Sequence, residues 1–417
     1  MKYLITAVTS FLKKIIKLFI FLTICLFSPI LYVSIKLIRP FKIVRIIQLM
    51  SNRYGHLVIN PELYLLKKFE DKKNKNYFDI FYTSRLGVCN SEVLKLWRKK
   101  LIILPHYLLE PLDRLTKKIE RNRNIHTINF FHSYIRDTHG YFKKYSPSIL
   151  LDQEQKNQCI KTLSKHDIDF YKIKYACLFN RDDAYLNSGK KKKNWYYLSH
   201  HNYKINSFEL AARKLSSNNI MLFRMGAKVE EPFNLNDTNA VDYANSSFRS
   251  ELMDIFLASN CSFGISCGTG SSHFAILNRK PIIDLNANLH HLFTFLNNSI
   301  LLSKHYFLND ENRNLNLKEI LSYKEHELRR RDQLDENGIQ MIDCTPEEIV
   351  DAVDEMLLRL TGKWRDNNEI IDLQKKFKNH NWQDLYRIQG KKKDYYHGEI
   401  RGRYSSTFLL KNKDWLN

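Results

Sequence analysis

Residues 248–286 read FRSELMDIFLASNCSFGISCGTGSSHFAILNRKPIIDLN, and their pattern decides the fold. Leu252, Ile255 and Phe256 recur at helical spacing, and Leu257 widens the apolar face. Cys261, Phe263 and Ile265 alternate as a short strand does. Ser266–Ser272 then carries no large side chain. Phe274–Leu277 predicts a second helix and Pro281–Asp284 a second strand. Helix, strand, turn, helix, strand is a unit of a parallel sheet, and ligands of such sheets bind at the carboxyl ends of the strands. Gly268 and Gly270 let the backbone approach a ligand. The hydroxyls of Ser266, Thr269, Ser271 and Ser272, with the N–H groups opening the next helix, offer donors to phosphate oxygens. A tight turn that binds nothing has the same pattern.

The chain upstream repeats the theme. Ile173, Tyr175, Cys177 and Phe179 alternate and lead into Asn180-Arg181-Asp182-Asp183. A helix over Ile205–Ser217 and a strand at Asn219–Phe223 follow, the strand closed by Arg224-Met225-Gly226. Ala240–Tyr243 is a short strand. Three strand ends therefore share one edge: Arg181, Arg224 and the Ser266–Ser272 turn. Two guanidiniums beside a hydroxyl-rich turn fit a diphosphate, which arginine holds through paired hydrogen bonds. The competing expectation pairs Arg181 with Asp182 or Asp183, and Arg224 with a neighbouring acid such as Glu230, as ion pairs. Lys190–Lys193 reads as a solvated charge run. Downstream, Thr345-Pro346-Glu347-Glu348 is a helix start, with a threonine cap and proline at the first helical position.

An earlier domain shows the same alternation of strands (Ile43–Ile47, Phe78–Tyr82, Leu101–Pro105) and helices (Pro61–Phe69, Ser91–Lys100, Leu108–Arg123), with a turn at Arg53–Leu57. His126, His132 and His139 match no metal-ligand spacing and read as polar loop residues. Before this domain, Leu18–Ile35 is an uncharged, mostly apolar run close to the minimum length for a bilayer span. Lys13, Lys14 and Lys17 precede it; Lys36, Arg39, Lys42 and Arg45 follow. Two forms of attachment fit: a single span, or a helix lying in the interface with its lysines among headgroups. Either predicts membrane association with the folded domains on the cytoplasmic side; a buried core helix is the competing expectation.

Composition adds bounds. The 417 residues include 66 Lys and Arg against 44 Asp and Glu, a formal charge of +22, which favours phosphates or anionic headgroups. No basic helix interleaves with stacking aromatics, so nucleic acid is not an expected partner. Seven cysteines form no C-x-x-C pair, which implies a reduced chain and no zinc site.

Several stretches together resemble the glycosyltransferase family of bacterial polysaccharide-biosynthesis loci: Arg53–Asn60, Leu178–Tyr185, Phe223–Gly226, Asp242–Glu251, Ser266–Ser272 with Asn278–Pro281, Asn337-Gly338 with Thr345–Ile349, and Phe408-Leu409 with Asn412. The resemblance covers most of the chain after residue 43, in order. More distantly it is similar to GT-B enzymes of the fucosyltransferase type. It departs where an Arg-Asn pair is expected before Ile205; here the chain has His200-His201-Asn202-Tyr203-Lys204. The resemblance implies a GT-B-like α/β fold, two Rossmann-like domains facing a cleft. The segments expected are 1–42 as membrane anchor, 43–165 as acceptor domain, 166–365 as nucleotide-sugar domain and 366–417 as a basic tail packing back. It implies transfer from a nucleotide-diphosphate sugar to a glycan or lipid-linked acceptor without a metal or other cofactor. Arg181, Asp182, Asp183 and His56 are the expected catalytic residues. Arg224, Gly226, Arg249, Glu251, Ser266, Gly268, Thr269, Gly270, Ser271 and Ser272 are the expected donor contacts. The alternative from another class is a non-catalytic, basic, membrane-associated binding or scaffold protein.

Overall fold

A computed structural model describes residues 2–71, 76–121, 125–128, 130, 136–187, 195–233, 235–236, 239–285, 287, 289, 296–324, 327–328, 330–380, 382 and 400–417. It divides into two units. The first comprises Met1–Ile135 with Ser148–Leu150, and the second Arg136–Pro147 with Leu151–Asn417. The α/β class, the parallel sheets and the apolar N-terminal helix are those implied by the sequence.

In the first unit, β1 (Ile43–Gln48), β2 (Tyr77–Tyr82) and β3 (Ile103–Leu104) form a parallel sheet in that order. The helix expected from Pro61 starts earlier, at Tyr54, and runs to Glu70, so Gly55 lies in its first turn and Pro61 in its interior. An interior proline leaves the carbonyl four residues back without its N–H. That carbonyl, on Leu57, accepts the indole N–H of buried Trp97 at 2.8 Å, which is why the helix passes the proline intact. Lys2–Ile38 is one 37-residue helix within this unit. Its Tyr32 packs with Ile46, Tyr82 and Leu112, the last on the helix His106–Glu120.

In the second unit seven strands pair in parallel in the order β13-β9-β8-β7-β4-β5-β6. They are β4 (Lys174–Phe179), β5 (Ile220–Arg224), β6 (Ala240–Val241), β7 (Phe263–Ser266), β8 (Ile282–Leu285), β9 (Ile300–Leu302) and β13 (Arg403–Tyr404). β7 is buried at all four positions, as a central parallel strand must be, so its expected alternation is absent. A small antiparallel sheet of β10 (His305–Leu308), β11 (Arg313–Asn314) and β12 (Ile339–Ile342) follows β9. The helix Pro346–Leu360 starts as its sequence dictates: Thr345 accepts from the N–H of Glu348, whose carboxylate returns to the N–H of Thr345.

The units divide elsewhere than at residue 165. Arg279 donates from Nε to the carbonyl of Phe142 at 3.0 Å and from Nη2 to that of Tyr145 at 2.9 Å. Arg401 Nη1 donates to the carbonyl of Asp137 at 2.6 Å. These bonds fasten residues 136–147 to the second unit. The chain end is likewise integral, with Tyr404 fully buried and β13 an edge strand of the main sheet. Lys190–Lys193, Tyr395 and Tyr396 lie outside the described residues.

Candidate functional site at a parallel-sheet edge

Strand order locates the site. From β4 the chain steps outward to β5 and β6, then returns to β7 on the other side of β4 and continues to β8 and β9. The reversal between β4 and β7 opens a crevice at their carboxyl ends. Asn180–Asp183 leaves β4 there, and the Ser266–Ser272 turn leaves β7 beside it, with Phe179 and Ser266 in register. Two of the three strand ends expected to converge are therefore adjacent at the crevice, and that of β5 is next to β4.

Their side chains do different work. Arg224 is 1 % exposed. Its guanidinium pairs with Asp242 at 3.1 Å and Asp182 at 3.7 Å and donates to the carbonyl of Glu231 at 3.2 Å. The acids that hold it are Asp242 and Asp182, where Glu230 was expected. In this conformation it braces the ends of β5 and β6. Gly226 keeps a passage for packing: a Cβ there would lie 2.7 Å from Val229 Cγ1. Arg249 pairs with Asp254 at 2.7 Å, and Tyr243 donates to the same carboxylate, also at 2.7 Å. Both contacts brace the start of the helix Glu251–Asn260, which Ser250 caps and Glu251 opens. Asp182 accepts from the backbone N–H groups of Ala184 and Glu230, each at 3.1 Å.

The β7 turn is partly closed on itself. Ser266 and Ser272 are buried and share a hydrogen bond of 3.0 Å, and Ser272 also donates to the carbonyl of Thr269. Thr269 and Ser271 hydroxyls lie 3.2 Å apart, half-buried. Gly270 opens a three-residue helical turn, and the helix behind it, His273–Leu277, is only five residues long. The helix terminus expected to supply N–H groups is thus brief. Gly268 at φ +65 is exposed with open space where a Cβ would stand, so the backbone there is the accessible part of the turn.

The structure adds residues the sequence reading left out. The segment Tyr196–His201 forms a short helical turn over this edge. Tyr203 donates from its N–H to the carbonyl of Arg181 at 3.0 Å, and Asn180 donates to the carbonyl of Tyr203 at 3.1 Å. At its other side, Lys304, two residues past β9 and 4 % exposed, donates to the carbonyl of Asn202 at 3.0 Å and pairs with Asp343 at 2.6 Å. His200 is buried here. Its pKa is pushed down to about 4, first by burial and then by the charges of Lys304, Arg181 and Arg331. Asp332 acts in the opposite direction. Asn180 Oδ1, Asp183 Oδ1, Asn202 Oδ1 and both ring nitrogens of His200 are buried without a hydrogen-bond partner among the described residues. Each such atom costs about 1–3 kcal/mol, and a cluster of them marks a place arranged for something other than stability. Asp284, register partner of Ser266 on β8, has its pKa raised by enclosure to about 7 although part of its surface stays accessible.

His200 gives a pH signature. The folded protein keeps the imidazole neutral down to about pH 4, whereas the unfolded chain protonates it near about 6.5. The stability tied to this group is whole above pH 6.5 and declines as pH falls from there toward 4. Replacing His200 by Gln is expected to flatten that limb in urea titrations at a series of pH values; an unchanged limb would contradict the assignment. His56, in the first unit, lies 3.3 Å from Asn60 Oδ1, and its pKa is also lowered to about 4, chiefly by burial. It adds a similar limb. His126 is buried against the carbonyl of Val44 at 2.8 Å, His139 is exposed, and His132 lies outside the described residues. Among the described residues no His, Cys, Asp and Glu side chains group as metal ligands, and the seven cysteines are unpaired. A depression of about 260 Å³ lined by Pro281, Asn298 and Arg403 opens at the amino ends of β8, β9 and β13, away from this edge.

No protein-family model matches the chain and no curated protein does. Among solved structures, it is similar to a glycosyl transferase of family 9 from Veillonella parvula DSM 2008 at 11 % identity and a TM-score of 0.43, covering 76 % of this chain and 98 % of that one. It is similar to the ADP-heptose LPS heptosyltransferase II of E. coli at 9 % identity and a TM-score of 0.41, covering 76 % and 99 %. It is also similar to the dodecameric iron-containing heptosyltransferase TibC in complex with ADP-D-beta-D-heptose, at 12 % identity and a TM-score of 0.37, covering 77 % and 78 %. None of these three is described as a fucosyltransferase, and each is a distant likeness of α/β architecture.

Proposed function

We propose that the protein is a GT-B-type glycosyltransferase that binds a nucleotide-diphosphate sugar at the β4–β7 crevice. On this reading it transfers the sugar to a glycan or lipid-linked acceptor of a bacterial polysaccharide, on the cytoplasmic side of a membrane. One observation carries the reading: at the switch point of a parallel sheet, the segment Asn202–Tyr203 joins the Arg181 strand end to buried Lys304, and polar atoms of Asn180, Asp183, His200 and Asn202 stand buried there without partners among the described residues. Departure of a nucleoside diphosphate builds negative charge, and cations fixed in advance lower the barrier by holding it. Arg181 supplies a two-pronged donor, Lys304 a compact charge held by Asp343, and the exposed backbone at Gly268 the close approach. Asp183, the carboxylate here with an unsatisfied oxygen, is assigned to the acceptor hydroxyl. The reaction on this reading needs no metal.

The test is a melting screen of the full chain with UDP, GDP, ADP and TDP, with and without chelator. A ligand at 100 times its Kd, bound only by the folded state, adds about 2.7 kcal/mol of stability. One nucleotide is expected to raise Tm by several degrees, equally in chelator, and its sugar to be consumed with acceptor. Equal shifts by inorganic polyphosphate and every nucleotide, with no turnover, would favour the non-catalytic binding protein. No shift with any nucleotide would remove the proposal.

A further inference from the structure

The helix Lys2–Ile38 carries two faces of opposite character. Ser28 and Tyr32 are buried, and Tyr32 and Ile35 pack in one cluster with Leu109, Leu112 and Leu115 of the helix His106–Glu120. Half a turn away, Phe19, Leu22, Leu26, Ile30, Val33 and Leu37 form an unbroken exposed stripe at steps of three and four residues, Leu26 being 75 % exposed. Lys13, Lys14 and Lys17 fall within about a quarter turn of the packed face, at about 100° per residue, and so stand away from the stripe. The exposed stripe is apolar, and the three lysines, exposed themselves, lie off it.

Its packing partner decides what the stripe meets. Lys17 Nζ lies 5.9 Å from the ring centroid of Tyr107, and farther along Tyr32 and Ile35 pack in one cluster with Leu109, Leu112 and Leu115. The two helices therefore run side by side from about Lys17 to Ile35. Were the apolar run to cross a bilayer, the neighbouring helix would sit at hydrocarbon depth with Glu110, Asp113, Arg114, Lys117, Lys118 and Glu120. Arg114, Lys117 and Lys118 are exposed. Charged side chains facing lipid and strand ends beside them are what a bilayer core excludes.

We propose that this helix lies in the plane of an anionic membrane surface, with the Phe19–Leu37 stripe sunk into the acyl boundary and Lys13, Lys14, Lys17, Lys36, Arg39 and Lys42 among the headgroups. The first unit then rests on the surface through the helix His106–Glu120, and the N-terminus stays on the same side as both α/β units. This takes membrane attachment from the reading above and fixes its geometry; it holds whatever the β4–β7 edge binds.

The test uses the full chain with an N-terminal epitope tag in inverted bacterial membrane vesicles, and the purified chain with vesicles of phosphatidylethanolamine and phosphatidylglycerol. Added protease is expected to remove the tag and the α/β units together. A tag that survives inside the vesicles would establish a span and overturn the proposal; a chain recovered wholly in the soluble fraction would overturn it as well. Replacing Leu22 and Leu26 by Glu is expected to lower vesicle binding roughly tenfold or more at unchanged Tm, because both side chains are exposed in the folded chain. Vesicles of phosphatidylcholine alone are expected to bind less than anionic ones. Should the wild type be dimeric without lipid, and the double variant monomeric with full vesicle binding, the stripe would be a contact between copies and the proposal would fall.

Discussion

Replacing Asp242 by Ala lowers the folding free energy by about 3–5 kcal/mol, the cost of leaving a buried charge without its partner. Arg224 is enclosed at the end of β5, and Asp242 is its nearest carboxylate at 3.1 Å; Asp182 stands farther off at 3.7 Å. Asp242 also accepts from the N–H of Phe233 at 2.9 Å and from Asn245 at 2.7 Å. Its loss therefore frees a guanidinium, a backbone donor and a side-chain amide at once. Urea denaturation of the full chain in detergent reads the loss. Adding Arg224→Met to Asp242→Ala should cost clearly less than the two changes summed, with a coupling of about 0.5–3 kcal/mol, since the second change removes the stranded charge. A change under about 1 kcal/mol for Asp242→Ala would show that Arg224 finds its compensation elsewhere. The pair also separates bracing from binding. If Arg224 held the donor diphosphate, Arg224→Met would abolish the nucleotide-induced rise in Tm at nearly native stability.

That contrast explains what could be read from the chain beforehand. Thr345-Pro346-Glu347-Glu348 was legible because a cap is local chemistry: a hydroxyl, a ring and a carboxylate act within one turn. The strands β4, β5, β7 and β8 were legible because long apolar runs between turn residues have few other uses. The early start of the helix at Tyr54 was not, since a tryptophan forty residues away stands in for the hydrogen bond that Pro61 cannot make. β13 was hidden for a similar reason: Arg403-Tyr404 is a two-residue edge strand inside a basic tail, and only its pairing with Ile300 and Leu301 defines it. At this edge, local reading placed Arg181 and the small-residue turn at strand ends, where the fold has them, but the acid it named for Arg224 was Glu230, and the fold brings Asp242 and Asp182 instead. It passed over Lys304, because a lysine after a short strand looks solvated until Asp343 and Asn202 are brought to it. The departure at His200-His201-Asn202 was the one signal for the segment across this edge.

Arg181→Ala is expected to lower kcat/KM for the nucleotide sugar by about 10²–10³, the usual loss when one preorganised charge on a leaving group is removed. The backbone contact made here does not depend on the side chain. The bond that anchors the crossing segment at this position uses the Arg181 carbonyl, at 3.0 Å from the Tyr203 nitrogen, and the substitution leaves it in place. The side chain is half-buried, in contrast to enclosed Arg224, and urea titration of the variant separates its cost to the fold from its effect on turnover. Arg181→Lys should fall between, because it keeps the charge and loses the planar pair of donors. A readout independent of turnover follows from His200. Arg181 is among the charges that lower its pKa, so the alanine variant should show that pKa rising, in a titration of the imidazole resonances. Bound diphosphate should act in the same direction in the wild type by offsetting Lys304, Arg181 and Arg331 together, and nucleotide should then bind with proton uptake between about pH 4 and 6.5. Unchanged turnover in Arg181→Ala would remove this residue from the leaving-group role, and a His200 titration unmoved by both the substitution and the nucleotide would place the diphosphate away from the β4–β7 crevice.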